Sequence, residues 1–191
     1  MKQTRKEIQE SFIRLGQIKP VDKITVKEIV EDCDINRNSF YYHFEDLPDL
    51  IESIIEDALA QNIRDNRSRG IRAVLVEMIR TLQDNADLCR NVYLSRNRDI
   101  LEMRVSKVIS ECLRDMIKAD PIFSRYDVSE EDLDIIIQSY RMEIWGFLAE
   151  WIRNGMRYNL EKRFMRMMDL RDGNLERMLR RADRSGRFNT R

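Results

Sequence analysis

Residues 24–51 read ITVKEIVEDCDINRNSFYYHFEDLPDLI, and the order of the signals within them decides the fold. Thr25-Val-Lys-Glu28 is a capping box: the threonine hydroxyl accepts a backbone N–H one turn on, and the glutamate reaches back to the Thr25 N–H. It predicts a short helix over 26–33 whose inward side is Val26, Ile29, Val30 and Cys33. Asp34-Ile35-Asn36 then breaks the pattern. Asn36 suits the N-cap of a second short helix over 37–43, with Phe40 and Phe44 turned inward. Asp46 opens the next helix, where Pro48 is tolerated in the first turn and Asp49 complements the dipole. Leu47, Leu50, Ile51, Ile54, Ile55, Ala58 and Leu59 carry that helix into the middle sixties.

Working outward, Ile8, Phe12, Leu15 and Ile18 form the stripe of a first amphipathic helix that ends before Pro20. Downstream, the polar stretch 62–70 is the expected seam between domains. Beyond it, Ile71, Val74, Leu75, Met78, Ile79 and Leu82 make one stripe, and a short segment follows around 88–94. Leu101, Val105, Val108, Ile109, Cys112, Met116 and Ile117 make another, stopped by Asp120-Pro121. Ser129-Glu-Glu-Asp132 starts a long apolar helix through Leu133, Ile136, Ile137, Tyr140, Ile144, Phe147, Leu148, Trp151 and Ile152, with Gly155 placed to end it. Residues 160–170 predict a last core helix, and after Gly173 the arginine-rich remainder adds a turn or two and frays. There is no strand signal and no repeat. The expectation is an all-α chain of about nine to ten helices, divided as 1–46, 47–172 (with 47–66 connecting) and a basic tail, 173–191.

Composition agrees. Among 191 residues there are 6 glycines and 3 prolines, too few for a turn-rich β architecture. No apolar run is long enough to span a membrane, and the charged opening MKQTRKE lacks the apolar core of a signal peptide, so a cytoplasmic protein is expected. Three scattered cysteines without a Cys-x-x-Cys pair fit a reducing compartment. The 34 basic and 34 acidic side chains cancel in total but not locally. Residues 1–45 are neutral, 46–151 carry a net −7, and 152–191 a net +7. Zero net charge therefore leaves a polyanionic partner possible, because local distribution governs steering.

Two short helices joined by a three-residue turn are the helix-turn-helix arrangement, in which the second helix enters the DNA major groove. The first turn of that helix offers Arg37, Asn38 and Ser39. Arginine can take guanine O6 and N7 together, and asparagine can read adenine. Tyr41, Tyr42 and His43 follow, suited to phosphates or thymine methyls. Each piece alone is common in ordinary helices, and tyrosine pairs are usually packing. The ordered combination is the specific signal.

Residues 24–51, above all Ser39-Phe-Tyr-Tyr-His-Phe44 followed by an acid-capped helix, resemble the DNA-binding domain of TetR-type (TetR/AcrR) transcriptional regulators, and the likeness extends over about 4–55. The resemblance implies an all-helical homodimer that represses transcription at a palindromic double-stranded operator and is released by a small-molecule effector. On this sequence it assigns base contacts to Lys27, Arg37, Asn38 and Tyr41, and phosphate contacts to Thr25, Ser39, Tyr42 and His43. Two positions depart from the family pattern. Asp34 replaces the usual glycine of the inter-helix turn, and Leu47 replaces a phosphate-binding lysine at the start of the fourth helix. With Glu45 nearby, both changes predict modest affinity.

Tyr140-x4-Trp145-Gly146-Phe147-x3-Trp151-x3-Gly155 is similar to the penultimate helix of a TetR subgroup that includes regulators of dihydroxyacetone kinase, where this helix joins the dimer's four-helix bundle. The resemblance implies a dimer interface at Trp145, Phe147, Leu148 and Trp151; equally, these aromatics are simply core. Tyr93, Tyr140 and Trp145 are candidates to line an effector pocket, while Met78, Met103 and Met142 serve as filler. Arg177, Arg180, Arg181, Arg184, Arg187 and Arg191 read first as a solvated end, second as a cover for the acidic middle of the same or a partner subunit, and third as a contact to DNA flanks. One histidine, no nucleophile elbow, no phosphate-cradling glycine loop and no clustered ligands argue against an enzyme, a cofactor or a metal. The rival is a helical adaptor of the same fold that has weakened or lost DNA binding.

Overall fold

The computed structural model of the chain describes residues 2–66, 71–96 and 98–186. Among them are ten α-helices and no strand, as the sequence predicts. The chain forms two compact units, Met1–Val108 and Ile109–Arg191, and α7 runs from one into the other.

In the N-terminal unit the helices are α1 (Lys2–Ile18), α2 (Val26–Asp32), α3 (Arg37–His43), α4 (Leu47–Asn66), α5 (Ile71–Asp84), α6 (Ala86–Tyr93) and the first half of α7 (Arg98–Ala119). One core joins Ile8 and Phe12 of α1, Ile29 and Val30 of α2, Phe40 and Phe44 at α3, Leu50 and Ile51 of α4, and Leu101 of α7. Val21 and Ile24, from a single 3₁₀ turn between α1 and α2, complete it. Burying these side chains supplies the main driving force, on the order of 2 kcal/mol each.

The first stripe differs from the expected one at its end. Ile18 is 79% exposed, and the inward position is Gly16 instead. Its cause is α6, which lies so close that a Cβ on Gly16 would overlap Leu88 Cδ1. Ala58 is likewise exposed, on the outer side of α4. The same α1–α6 seam solves a local problem at Pro20. In a continuing helix the Gly16 carbonyl would accept from residue 20, but proline has no N–H. Asn91 Nδ2 of α6 donates to Gly16 O at 2.8 Å and to Lys19 O at 3.2 Å in its place. Nearby, the Asp22 carboxylate accepts from Ser95 Oγ at 2.7 Å and from the Arg96 N–H at 2.9 Å, and these bonds hold its pKa below the usual range. Arg104 of α7 pairs with Glu52 at 2.9 Å and Asp46 at 3.8 Å on α4.

The C-terminal unit holds the rest of α7, α8 (Glu130–Arg153), α9 (Leu160–Leu170) and α10 (Asn174–Ala182). Ser129 caps α8, its Oγ accepting the Asp132 N–H at 3.0 Å. Leu133, Ile136, Ile137, Ile144, Trp151 and Ile152 face inward with Leu113 and Ile117 of α7 and Phe164 of α9. Gly155 ends α8 at φ +66°, with the Gly155 N–H on Ile152 O and the Met156 N–H on Trp151 O, both at 2.9 Å. This is a Schellman motif with glycine in the left-handed position.

The arginine-rich end is more structured than the sequence predicts. Leu179 of α10 is fully buried. Asp183 accepts the Asp127 N–H at 2.8 Å, and Arg184 pairs with the Asp127 carboxylate at 2.7 Å. Of the tail arginines, Arg184 thus meets the acidic middle, and before the tail Arg171 pairs with Glu143 and Arg163 with Glu150. Arg187 and Arg191, like residues 67–70 of the expected seam, lie outside the described residues.

Candidate nucleic-acid interface

The surface is built from α2, its turn and α3. The capping box forms as predicted: Thr25 Oγ accepts the Glu28 N–H at 3.3 Å, and Glu28 Oε2 accepts the Thr25 N–H at 3.0 Å. Glu28 also accepts the Thr25 hydroxyl at 3.1 Å and Lys19 Nζ at 2.6 Å, and these donors, Lys19 foremost, hold its carboxyl below the usual range. The one hydrogen of the Thr25 hydroxyl is thus committed to Glu28, and a phosphate oxygen, which only accepts, would have to compete for it.

The turn settles how aspartate serves where glycine is usual. Asp34 sits at φ +52°, in the left-handed region. The Ile35 N–H reaches Val30 O at 2.9 Å and the Asp34 N–H reaches Glu31 O at 3.3 Å, the same Schellman closure seen at Gly155. The short aspartate side chain tolerates this backbone at a cost glycine does not carry.

Asn36 caps α3, its Oδ1 accepting the Ser39 N–H at 2.9 Å and the Ser39 hydroxyl at 3.2 Å. Ser39 is therefore turned toward its own cap. Phe40 and Phe44 are buried, with ring centroids 5.7 Å apart, and anchor the helix. That anchorage turns Arg37, Asn38, Tyr41 and Tyr42 outward. Tyr41 is 56% and Tyr42 67% exposed, large rings that folding leaves in water. Tyr42 packs edge-on against half-buried His43 at 5.1 Å. Lys27 is exposed on α2 with Glu31 at 3.6 Å. Five of the eight predicted contact residues (Lys27, Arg37, Asn38, Tyr41, Tyr42) thus present open side chains; Thr25 and Ser39 hold theirs in caps, and His43 is half covered.

Charge on this face is largely compensated. Lys19 meets Glu28 at 2.6 Å and Arg14 meets Asp32 at 2.6 Å. At the start of α4, where the family pattern has lysine, Leu47 packs on the core. Asp46 Oδ1 caps the Asp49 N–H at 2.7 Å, and Asp49 Oδ2 accepts the Glu45 N–H at 2.8 Å.

The candidate pocket residues divide between the units. Tyr93, in the N-terminal unit, is buried beneath the Arg98 guanidinium, 4.0 Å from its ring centroid. Tyr140, in the C-terminal unit, packs against Arg171 at 5.3 Å, and burial pushes its phenol pKa up. Trp145 is half-buried, and its indole N–H has no acceptor among the described residues. The candidate interface residues also diverge. Trp151 is 2% exposed and donates to Tyr158 O at 3.0 Å, so its side chain is occupied within the chain, the core alternative of the sequence reading. Phe147 packs edge-on against Phe164 at 5.9 Å, and Leu148 is half-buried. The outward face of α8 instead carries Ile135, Met142 and Gly146, where an added Cβ would meet nothing. The signal for them was available as two apolar residues seven apart, off the main stripe.

No helix among the described residues is long and apolar enough to cross a membrane. Residues 71–173 match the TetR-type family model described as a transcriptional regulator C-terminal region. The HTH-type dhaKLM operon transcriptional activator DhaS of Lactococcus lactis is 28% identical over 92 residues, 48% of this chain and 49% of that protein, so the match spans about half the relative's length. A solved structure of the dihydroxyacetone kinase operon activator DhaS superposes with a TM-score of 0.67 at 23% identity, covering 94% of this chain and 98% of that one. A TetR/AcrR-type transcriptional regulator from Aquifex aeolicus gives a TM-score of 0.51 at 18% identity, covering 87% and 98%. These structural likenesses speak for the fold, and the family is one of regulators rather than enzymes. The chain belongs to the TetR family of transcriptional regulators.

Proposed function

We propose that the chain is a sequence-specific regulator that binds a palindromic double-stranded DNA operator as a homodimer in the cytoplasm. Residues 1–46 read the DNA, 47–172 carry the dimer contact and an effector pocket, and 173–191 form a basic end. The observation that carries this reading is α3: Arg37, Asn38, Tyr41 and Tyr42 stand exposed on a helix pinned by Phe40 and Phe44. Arg37, Asn38, Tyr41 and Lys27 read bases. Tyr42 and His43 meet phosphate, and Thr25 and Ser39 join them by exchanging a cap partner for a phosphate oxygen. Dimerisation through α8 is supported by the open Ile135–Met142–Gly146 face, which suits close approach of an identical helix.

The regulator acts as a repressor released by a small-molecule effector. A second direction, activation, is favoured by the name of the Lactococcus lactis relative, a transcriptional activator. Selection from random duplex DNA at low salt tests the reading. Enrichment of an inverted repeat supports it, with half-sites about one helical turn or more apart. A folded, dimeric protein that enriches nothing, with or without added metabolite extract, replaces it with the adaptor reading.

A further inference from the structure

Within the C-terminal unit, several long polar side chains have defined partners. Arg114 bridges Glu130 and Asp134, Arg171 pairs with Glu143, Arg184 pairs with Asp127, and the Trp151 indole donates to Tyr158 O. Three buried polar atoms of the unit have no hydrogen-bond partner among the described residues, Tyr158 Oη and a pair of donors on α8. Arg141 Nε and Trp145 Nε1 are both buried and have no acceptor. They stand one helical turn apart, on one face, beside buried Ile137 and half-buried Leu148. Arginine and indole are donors only. A buried Nε–H and a buried indole N–H left without acceptors are unfavourable, and an acceptor from outside the chain would satisfy both.

We propose that Arg141 and Trp145 form an oxyanion-accepting subsite on α8, which holds the carboxylate or phosphate group of the small-molecule effector. The Nε–H and Nη–H edge of Arg141 takes two oxygens side by side, the fork geometry these groups share. The Trp145 N–H supplies a third donor, and the apolar flank of Ile137 and Leu148 receives the organic part. This deepens the effector reading above and rests on it.

The test uses the full chain. Thermal unfolding and tryptophan fluorescence are followed while inorganic phosphate, acetate or benzoate is added against chloride at equal ionic strength. At tenfold the dissociation constant, a bound oxyanion raises the midpoint by about 3 °C. Arg141→Met abolishes the saturable shift, and Trp145→Phe weakens binding several-fold; exposed Arg153→Gln changes neither. Without ligand, Arg141→Met is as stable as the native chain or more so, which a structural arginine would not allow. No saturable response beyond chloride from any of the three probes overturns the subsite, as does a full response in Arg141→Met or a native-like response in Trp145→Phe. Operator selection reads α3 independently: oxyanion binding without enrichment overturns the DNA reading alone, and enrichment without oxyanion binding overturns the subsite alone.

Discussion

Replacing Asp34 by glycine should make the protein more stable, although it deletes a side chain from the turn between α2 and α3. Asp34 closes α2 at φ +52° and its side chain makes no described hydrogen bond. An L-residue in this region carries roughly 1–2 kcal/mol of strain, aspartate at the low end. Glycine removes that strain but enlarges the conformational freedom of the unfolded chain, a loss of about 0.4–1 kcal/mol. The net gain for Asp34→Gly is about 0.5 kcal/mol, or a rise of roughly 1–2 °C in midpoint for a chain of this size. Asp34→Asn tolerates the left-handed backbone equally and should stay within a few tenths of a kcal/mol of the native chain. Asp34→Ala keeps the strain without the tolerance and should lose about 0.5–1 kcal/mol. Urea unfolding of the three variants gives the order Gly, Asn, Ala. DNA binding separates charge from backbone: Gly and Asn both remove a negative charge beside the phosphates and should tighten binding alike, most at low salt. An Asp34→Gly protein no more stable than the native one, or an Ala variant equal to it, would refute the strain argument.

On an enriched operator, Arg37→Ala should lower affinity about tenfold or more and relax preference at one base position, whereas Tyr42→Phe should weaken all sequences alike; identical effects on every sequence would sink that division of roles. Glu28→Ala should lower stability by about 1 kcal/mol through loss of the capping box, yet raise DNA affinity because Lys19 and the Thr25 hydroxyl are released; filter binding beside urea unfolding reads both. Burial pushes the Cys89 thiol up to about 12 and Cys112 to about 11, and also raises Cys33. Iodoacetamide at pH 8 should therefore label the native chain slowly, Cys33 first and Cys89 last, as peptide mass mapping over time would show.

The readable part of this fold was the local part. The Thr25 and Asn36 caps and the α3 limits followed from residues within one turn of each other, and the structure reproduces them. The left-handed turn was legible because only aspartate, asparagine or glycine accept it cheaply. What the sequence misplaced depended on distant partners. Ile18 continued a stripe, but α6 packs on Gly16 and shifts the buried face. Leu179 belongs to a stripe of little more than two turns, Leu175, Met178, Leu179 and Ala182, set among arginines, and its burial depends on the helices it meets. Trp151 suited an interface or the core equally, and the Tyr158 carbonyl that takes its indole decides for the core. The unpartnered Arg141 has no signature at all in a list of residues, since a missing acceptor is a property of space.

The Asn91 amide supplies what Pro20 cannot, across 75 residues of sequence. The head formed by α1 to α4 is consequently not a transplantable cassette. A chimera that joins residues 1–66 to a foreign sensor would leave the end of α1 with two orphaned carbonyls and Leu88's seat at Gly16 vacant. Grafts that also carry α6 and the opening turns of α7, with Asn91, Ser95 and Arg104, preserve the fastening. Engineering of new sensors on this scaffold therefore has its natural splice point inside α7, after Val108, rather than in the polar stretch that follows α4.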